Sequence, residues 1–214
     1  MSTAEIKPKE RPILFSGPMV RAILRGHKTV TRRIVDPKKF SGWDWADHPE
    51  DKANGYPFVE DEYGVSHSAL SLCPYGKSGD ILWVRETWQD DGREFRYRAT
   101  DFGECPGYIR PLVIKWRPSI FMPRVACRLT LRVTDVRVER LQDITEAQAI
   151  AEGVDEFSYA KAGLNFDLGK NQQTRDPLQA FQWLWDDINA KRGYPFDSNP
   201  WVWVVEFERI MEEG

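Results

Sequence analysis

The chain is poor in the residues that hold metals and form cross-links: three cysteines and three histidines in 214 residues. Cys73, Cys105 and Cys127 are odd in number, widely spaced and outside any CxxC pair, which excludes a disulfide framework or a zinc ribbon as the basis of the fold. His27, His48 and His67 are equally scattered, so neither a metal nor a cofactor is expected. No apolar run approaches the roughly 18 to 20 residues a membrane helix needs, and the opening MSTAEIKPKERP has no apolar signal-peptide core. The expectation is a cytoplasmic protein with no membrane partner. Net charge is small too: 30 basic against 33 acidic side chains leave −3, and the whole-chain value alone gives no sign of nucleic-acid binding.

Against these shortages stand a 41% hydrophobic and 29% charged composition, fit for one globular domain with insertions, and an excess of nine tryptophans. Trp is both a large core residue and a good stacking surface for a base or a cation. The charge is also unevenly laid down. Residues 1–40 hold ten basic and three acidic side chains, and residues 81–140 hold twelve and eight. The intervening 41–80 hold two and eight, and 141–214 six and fourteen. Folded together, the two basic segments would make a positive face able to neutralise phosphates; solvated strand edges would give the same alternation.

Along the chain, Arg11–Ser16 reads as a strand, followed by a short helix with Pro18 in its first turn and Gly26 at its end. Lys28–Val35 is rich in β-branched residues and reads as a second strand. Periodicity then disappears from Asp36 to Lys77, an irregular insertion. Gly79-Asp80 opens a strand over Ile81–Trp88, with Glu94–Thr100 as its pairing partner. Residues 127–141 alternate but switch parity around Asp135, as a bulged strand would. Thr145 caps a short helix with Gln148 as its box partner, and Gly153 ends it. A second insertion covers 154–175. Asp176 and Pro177 start a helix whose face is Leu178, Phe181, Leu184, Trp185 and Ile188, and Trp201–Ile210 closes the chain as a strand. Five or six strands with two or three short helices and long loops predict an α+β protein on a small curved sheet or barrel. Trp83, Trp185, Trp201 and Trp203 are expected in the core, with Trp43 or Trp45 as a lid.

The order strand, helix, GHKTVTRR, GDILWVRETW, long alternating strand, ITEAQAIAEGV, terminal strand resembles the ASCH superfamily. Gly26-His27-Lys28-Thr29-Val30-Thr31-Arg32-Arg33 is similar to that family's G-x-K-x-x-T-x-R signature. Gly79-Asp80 and Ile144-Thr145-Glu146 to Glu152-Gly153 add to it, and RETW at 85–88 with RPSIFMPR at 117–124 resembles longer members found in phages and prophages. The resemblance implies a PUA-like small β-barrel over 1–214, with insertions at about 36–77 and 154–175. It also implies a partner that is RNA or a modified nucleoside or nucleotide. Family activities include amidohydrolysis of acetylated cytidine, metal-independent RNA cleavage, and RNA binding without turnover. The amidohydrolase set of Lys, Thr and Glu matches Lys28, Thr31 and Glu152.

Amide hydrolysis needs an activated nucleophile, a proton carrier and a donor for the oxyanion. Thr31 would supply the hydroxyl or hold a water; Lys28, its pKa lowered in a partly dry site beside Arg32 or Arg33, would take the proton; Glu152 would relay it or orient the attacking water; and Arg33 would clamp the developing charge or a phosphate, with Arg32 a further substrate-binding candidate. In a regular strand Lys28 and Thr31 point to opposite faces, so the pair requires Lys28 to lie on the turn before the strand. Glu86 and Trp88 share a face of an alternating strand, where Trp88 would stack on a base whose amine the carboxylate accepts. Alternatively Trp88 packs in the core and Glu86 pairs with Arg96 or Arg98. Arg124 is a candidate phosphate contact or a loop ion pair.

Overall fold

A computed structural model describes residues 7–36, 58–60, 63, 66–101, 115–154, 174 and 176–211. The fold is α+β, as expected, and its centre is a mixed five-stranded sheet. In chain order the strands are β1 (Glu10–Leu14), β2 (Val30–Ile34), β3 (Phe58–Glu60), β4 (Ser66–Ser68), β5 (Ile81–Arg85), β6 (Trp88–Asp90), β7 (Phe95–Tyr97), β8 (Thr130–Arg140) and β9 (Trp201–Arg209). The helices are α1 (Gly17–Leu24), α2 (Glu146–Ala151) and α3 (Pro177–Asn189). The large sheet runs β1-β5-β8-β9-β2, with β1 parallel to β5 and the other pairs antiparallel; β3-β4 and β6-β7 are separate hairpin-like pairs. The order ends at β1 and β2. Arg33 Nη2 on β2 donates to the Leu14 carbonyl on β1 at 2.6 Å, so a side chain bridges the two edges and they share no backbone ladder.

Burial explains the pattern of the strands. Trp203, Val205 and Phe207 of β9 enter a core with Ile13, Phe15, Leu82, Val84, Leu131, Val133 and α1, while Val202 and Val204 face a second core built with Phe181, Leu184 and Trp185 of α3. A strand buried on both faces reads as a near-continuous apolar run, which is the WVWVV of β9. On β8 the register with β9 shifts between Val133 and Asp135. The extra residue turns Val136 and Val138 back into the first core, accounting for the parity switch in the sequence.

Three features differ from the sequence reading. The expected strand over Ile81–Trp88 breaks after Arg85: Glu86 turns inward, and Trp88 starts β6 in a small third cluster with Met122 and Ala126. Trp83 alternates outward on β5, with Leu82 and Val84 facing in, so it lies half-buried under the Arg85 guanidinium rather than in the core. The 36–77 insertion is not wholly irregular, since β3, β4 and a turn at Ala69–Leu72 lie within it and Ala69 and Cys73 reach the first core. Residues 37–57, with the proposed lid residues Trp43 and Trp45, and most of the 154–175 insertion lie outside the described residues. No described helix is long and apolar enough to cross a membrane.

Candidate active site

The GHK turn comes first. At the end of α1, Gly26 adopts φ +78°, and the amides of His27 and Lys28 both donate to the Ala22 carbonyl at 2.9 and 3.2 Å. Lys28 therefore sits on the turn before β2, the placement the chemistry requires. It meets the end of α2 directly: Lys28 and Glu152 form an isolated antiparallel bridge, and Thr29 N donates to the Ala151 carbonyl at 2.9 Å. Gly153 makes this approach possible. A Cβ there would lie 3.0 Å from the Ala22 Cβ and 3.2 Å from the Lys28 Cβ, at a φ of +90° that L side chains rarely adopt. Helix α2 is fixed at its other end by the expected capping box of Thr145 and Gln148.

Lys28 is completely buried, and its ammonium donates to the Val30 carbonyl at 2.8 Å, the Glu152 carbonyl at 2.9 Å and Glu152 Oε2 at 2.6 Å. All three of its protons are thus used. Burial pushes its pKa below the ordinary lysine range; Glu152 opposes that shift, and Arg33 and Arg32 add to it. Arg32, also buried, donates to Gln148 Oε1 at 2.8 Å, Glu139 Oε2 at 3.3 Å and Glu152 Oε1 at 3.5 Å. Gln148 accepts from both the Thr145 amide and Arg32, so the helix cap also positions the arginine.

Because β2 is an edge strand, side chains from both of its faces border the space along its free edge. That space is a cavity of about 270 Å³. Thr31, Arg32, Arg33 and Glu152 line one side, and Phe181, Trp185 and Tyr75 supply aromatic surface. Arg192 and Asn189 lie at the end of α3, hydrogen-bonded to each other at 3.2 Å. Lys28 does not line the cavity; it lies behind Glu152. Among the described residues Arg33 is met by the Leu14 carbonyl and by no carboxylate at ion-pair distance, and its Nε is buried without a partner, as is the Nε of Arg32. The Arg33 guanidinium also stacks over Phe15 at 5.1 Å, and desolvation pushes its pKa down.

Comparison with protein-family models, curated proteins and solved structures finds no match.

The remaining candidates lie elsewhere. Glu86 is 1% exposed, and both of its oxygens accept from Arg128, at 2.9 and 3.0 Å, rather than from Arg96 or Arg98. Trp88 is 3% exposed, packs edge-on against Phe95, and carries Arg117 over its ring at 5.0 Å. Arg124 pairs with Glu10 of β1 at 2.8 Å. None of these three lines the cavity. Conversely, the sequence reading did not mark Tyr75, Asn189 or Arg192, and it took Phe181 and Trp185 only as core. The helical periodicity of α3 shows which face is apolar. It does not show that the edge of that face is left open to a cavity.

Proposed function

We propose that the chain is an ASCH-domain protein of PUA-like architecture, the five-stranded sheet being the wall of its small barrel. Its cavity takes a modified nucleoside or nucleotide, free or within RNA, and hydrolyses an acyl group from the exocyclic amine. One observation carries this reading: Thr31 and Glu152 open on the same aromatic-lined cavity as Arg33, a guanidinium with no carboxylate partner among the described residues. At about 270 Å³ the space suits a single base or nucleoside, near the lower end of ligand pockets. Phe181, Trp185 and Tyr75 line it with aromatic side chains, apolar surface suited to a base.

The chemistry follows from which groups face the cavity. The Thr31 hydroxyl, or a water held by it, adds to the acyl carbon. Glu152 accepts the proton and returns it to the leaving amine as the C–N bond breaks, so the nucleoside departs with a free amino group; where water was the nucleophile the acid is released directly, and where Thr31 was, a water deprotonated by Glu152 then cleaves the Thr31 ester, freeing the acid and restoring the hydroxyl. Lys28, its three donors engaged, acts through Glu152 by holding the carboxylate and exchanging a proton across the 2.6 Å contact. Arg33 stabilises the oxyanion. Glu86, Trp88 and Arg124 have no part in these steps. The test is release of cytidine from N4-acetylcytidine in the presence of a chelator. Lys28→Ala, Thr31→Ala and Glu152→Ala are each expected to abolish it, and activity surviving in all three would overturn the assignment.

A second reading, capture of RNA or a nucleotide without turnover, is favoured by the saturated donors of Lys28 and by the unpartnered Nε atoms of Arg32 and Arg33, which suit a phosphate. It predicts binding that weakens with salt and with Arg33→Ala, and no product. Cleavage of labelled RNA in chelator would instead make the phosphate the electrophile at the same residues.

A further inference from the structure

The sequence run RPSIFMPR, which the cavity does not use, forms a rigid, exposed and basic surface feature. Two single-turn helical segments, Ser119–Phe121 and Arg124–Ala126, carry it. Met122 and Ala126 anchor it in the third cluster at 1% and 0% exposure, and the Glu86 amide donates to Met122 Sδ at 3.2 Å. The Arg85 guanidinium donates to the Ile120 carbonyl, and Arg117 exchanges two backbone hydrogen bonds with Trp88. On this fixed base Ile120, Phe121 and Val125 point outward, 53%, 67% and 78% exposed. Large apolar side chains held this firmly in water mark a contact surface.

The surroundings say what kind of contact. From Lys115 to Thr134 the chain has five basic residues and no carboxylate. Arg124, Arg128 and Arg132 are paired with Glu10, Glu86 and Glu208, whereas Lys115 and Arg117 are exposed and have no ion pair among the described residues. Arginine planes also lie over tryptophan rings around the segment: Arg85 on Trp83 at 5.4 Å, Arg98 on Trp116 at 5.9 Å and Arg117 on Trp88 at 5.0 Å. An exposed aromatic ring on the same short segment as cations that have no ion pair among the described residues suits stacking on an unpaired base while neutralising the phosphates next to it. A protein partner reading the same apolar tip would have to bring carboxylates to Lys115 and Arg117, and a second copy of this face would bring like charge.

We propose that this face docks single-stranded nucleic acid, Phe121 stacking on a base while Lys115 and Arg117 contact adjoining phosphates. The proposal is independent of the chemistry assigned to the cavity. It is tested by fluorescence anisotropy with labelled single-stranded RNA and DNA oligonucleotides across a salt series, using the full chain. The wild type is expected to bind with affinity that falls as salt rises. Phe121→Ala should weaken binding roughly 5- to 150-fold, the value of one lost base stack, and Lys115→Ala and Arg117→Ala should each lower the salt slope by about one. Phe121 is largely exposed, so its variant should keep the wild-type melting temperature. Arg33→Gln separates the two sites, because strand binding that persists in it belongs to this face whatever becomes of the cavity. Three results would overturn the proposal: no oligonucleotide binding at low salt, binding lost in Arg33→Gln but unchanged in Phe121→Ala, or a wild-type dimer that Phe121→Ala converts to monomer in gel filtration.

Discussion

Replacing Glu152 by Gln is the most telling perturbation of the site, because it removes a charge while leaving an oxygen for Lys28 to bond. In the wild type the buried ammonium has a carboxylate oxygen at 2.6 Å and two backbone carbonyls within 2.9 Å. Removing one partner of such a buried pair costs about 3–5 kcal/mol, since the other charge is left in a dry site. Lys28→Met should cost a similar amount, partly relieved by Arg32, which still reaches Glu152 at 3.5 Å. The double variant should be more stable than the two losses predict, as the uncompensated charge is gone. A coupling below about 0.5 kcal/mol in the double-mutant cycle would refute the pairing.

The same pair fixes a pH dependence. Lys28 has a folded-state pKa below its unfolded value because of burial. Between the two values the unfolded chain binds more protons, so stability rises with pH; the benefit is complete above the unfolded value, about 10.4, and lost as pH falls through the folded one. Glu152 opposes the depression, so in Glu152→Gln the window extends further down and the rise should be steeper than in the wild type, up to about 1.36 kcal/mol per pH unit for one proton. Lys28→Met should lack this component. Urea unfolding followed by tryptophan fluorescence between about pH 6 and pH 9 measures it. Parallel profiles for Glu152→Gln and Lys28→Met would defeat the argument.

Two further outcomes follow from other buried groups. Cys73 is 5% exposed and burial pushes its thiol up to about 11, so iodoacetamide at pH 8 should modify it slowly in the native protein and rapidly in urea, read by peptide mass spectrometry; fast native labelling would contradict the packing. Its unfolded thiol ionises near pH 8.5, so this group lowers stability as pH climbs from there toward about 11. Arg128→Met strands the Glu86 carboxylate and should cost about 3–5 kcal/mol, with Arg128→Lys recovering only part because the two-pronged contact is lost; an unchanged melting temperature would refute it.

How much of this could be read from the chain depends on the range of the interaction. The capping box of Thr145 and Gln148, Pro177 at the start of α3 and the bulge of β8 are local, set within a few residues by backbone geometry and hydrophobic period, and their signals stand in the sequence. The outward turn of Trp83 was also in the pattern: alternation from Leu82 and Val84 places it opposite the core, and only its residue type suggested otherwise. The break after Arg85 was not, because period-two alternation runs on through Glu86 and Trp88. Glu86 keeps that alternation, buried in phase with Leu82 and Val84, and its partner there is Arg128, 42 residues away, rather than a nearby arginine.

The site shows the same division more sharply. The signature residues stand within eight positions of one another, so their being neighbours required no structure. Their roles did. Lys28 and Glu152 meet across 124 residues, through two positive-φ glycines that end α1 and α2, and the meeting sorts them: one is sealed behind the wall and the other faces the cavity. The sequence marks both as ionisable and does not show which of them faces the cavity. Burial is why the proposed role of the lysine runs through the glutamate, and why Arg33, with no carboxylate among the described residues, is the charge that the proposal offers to a ligand.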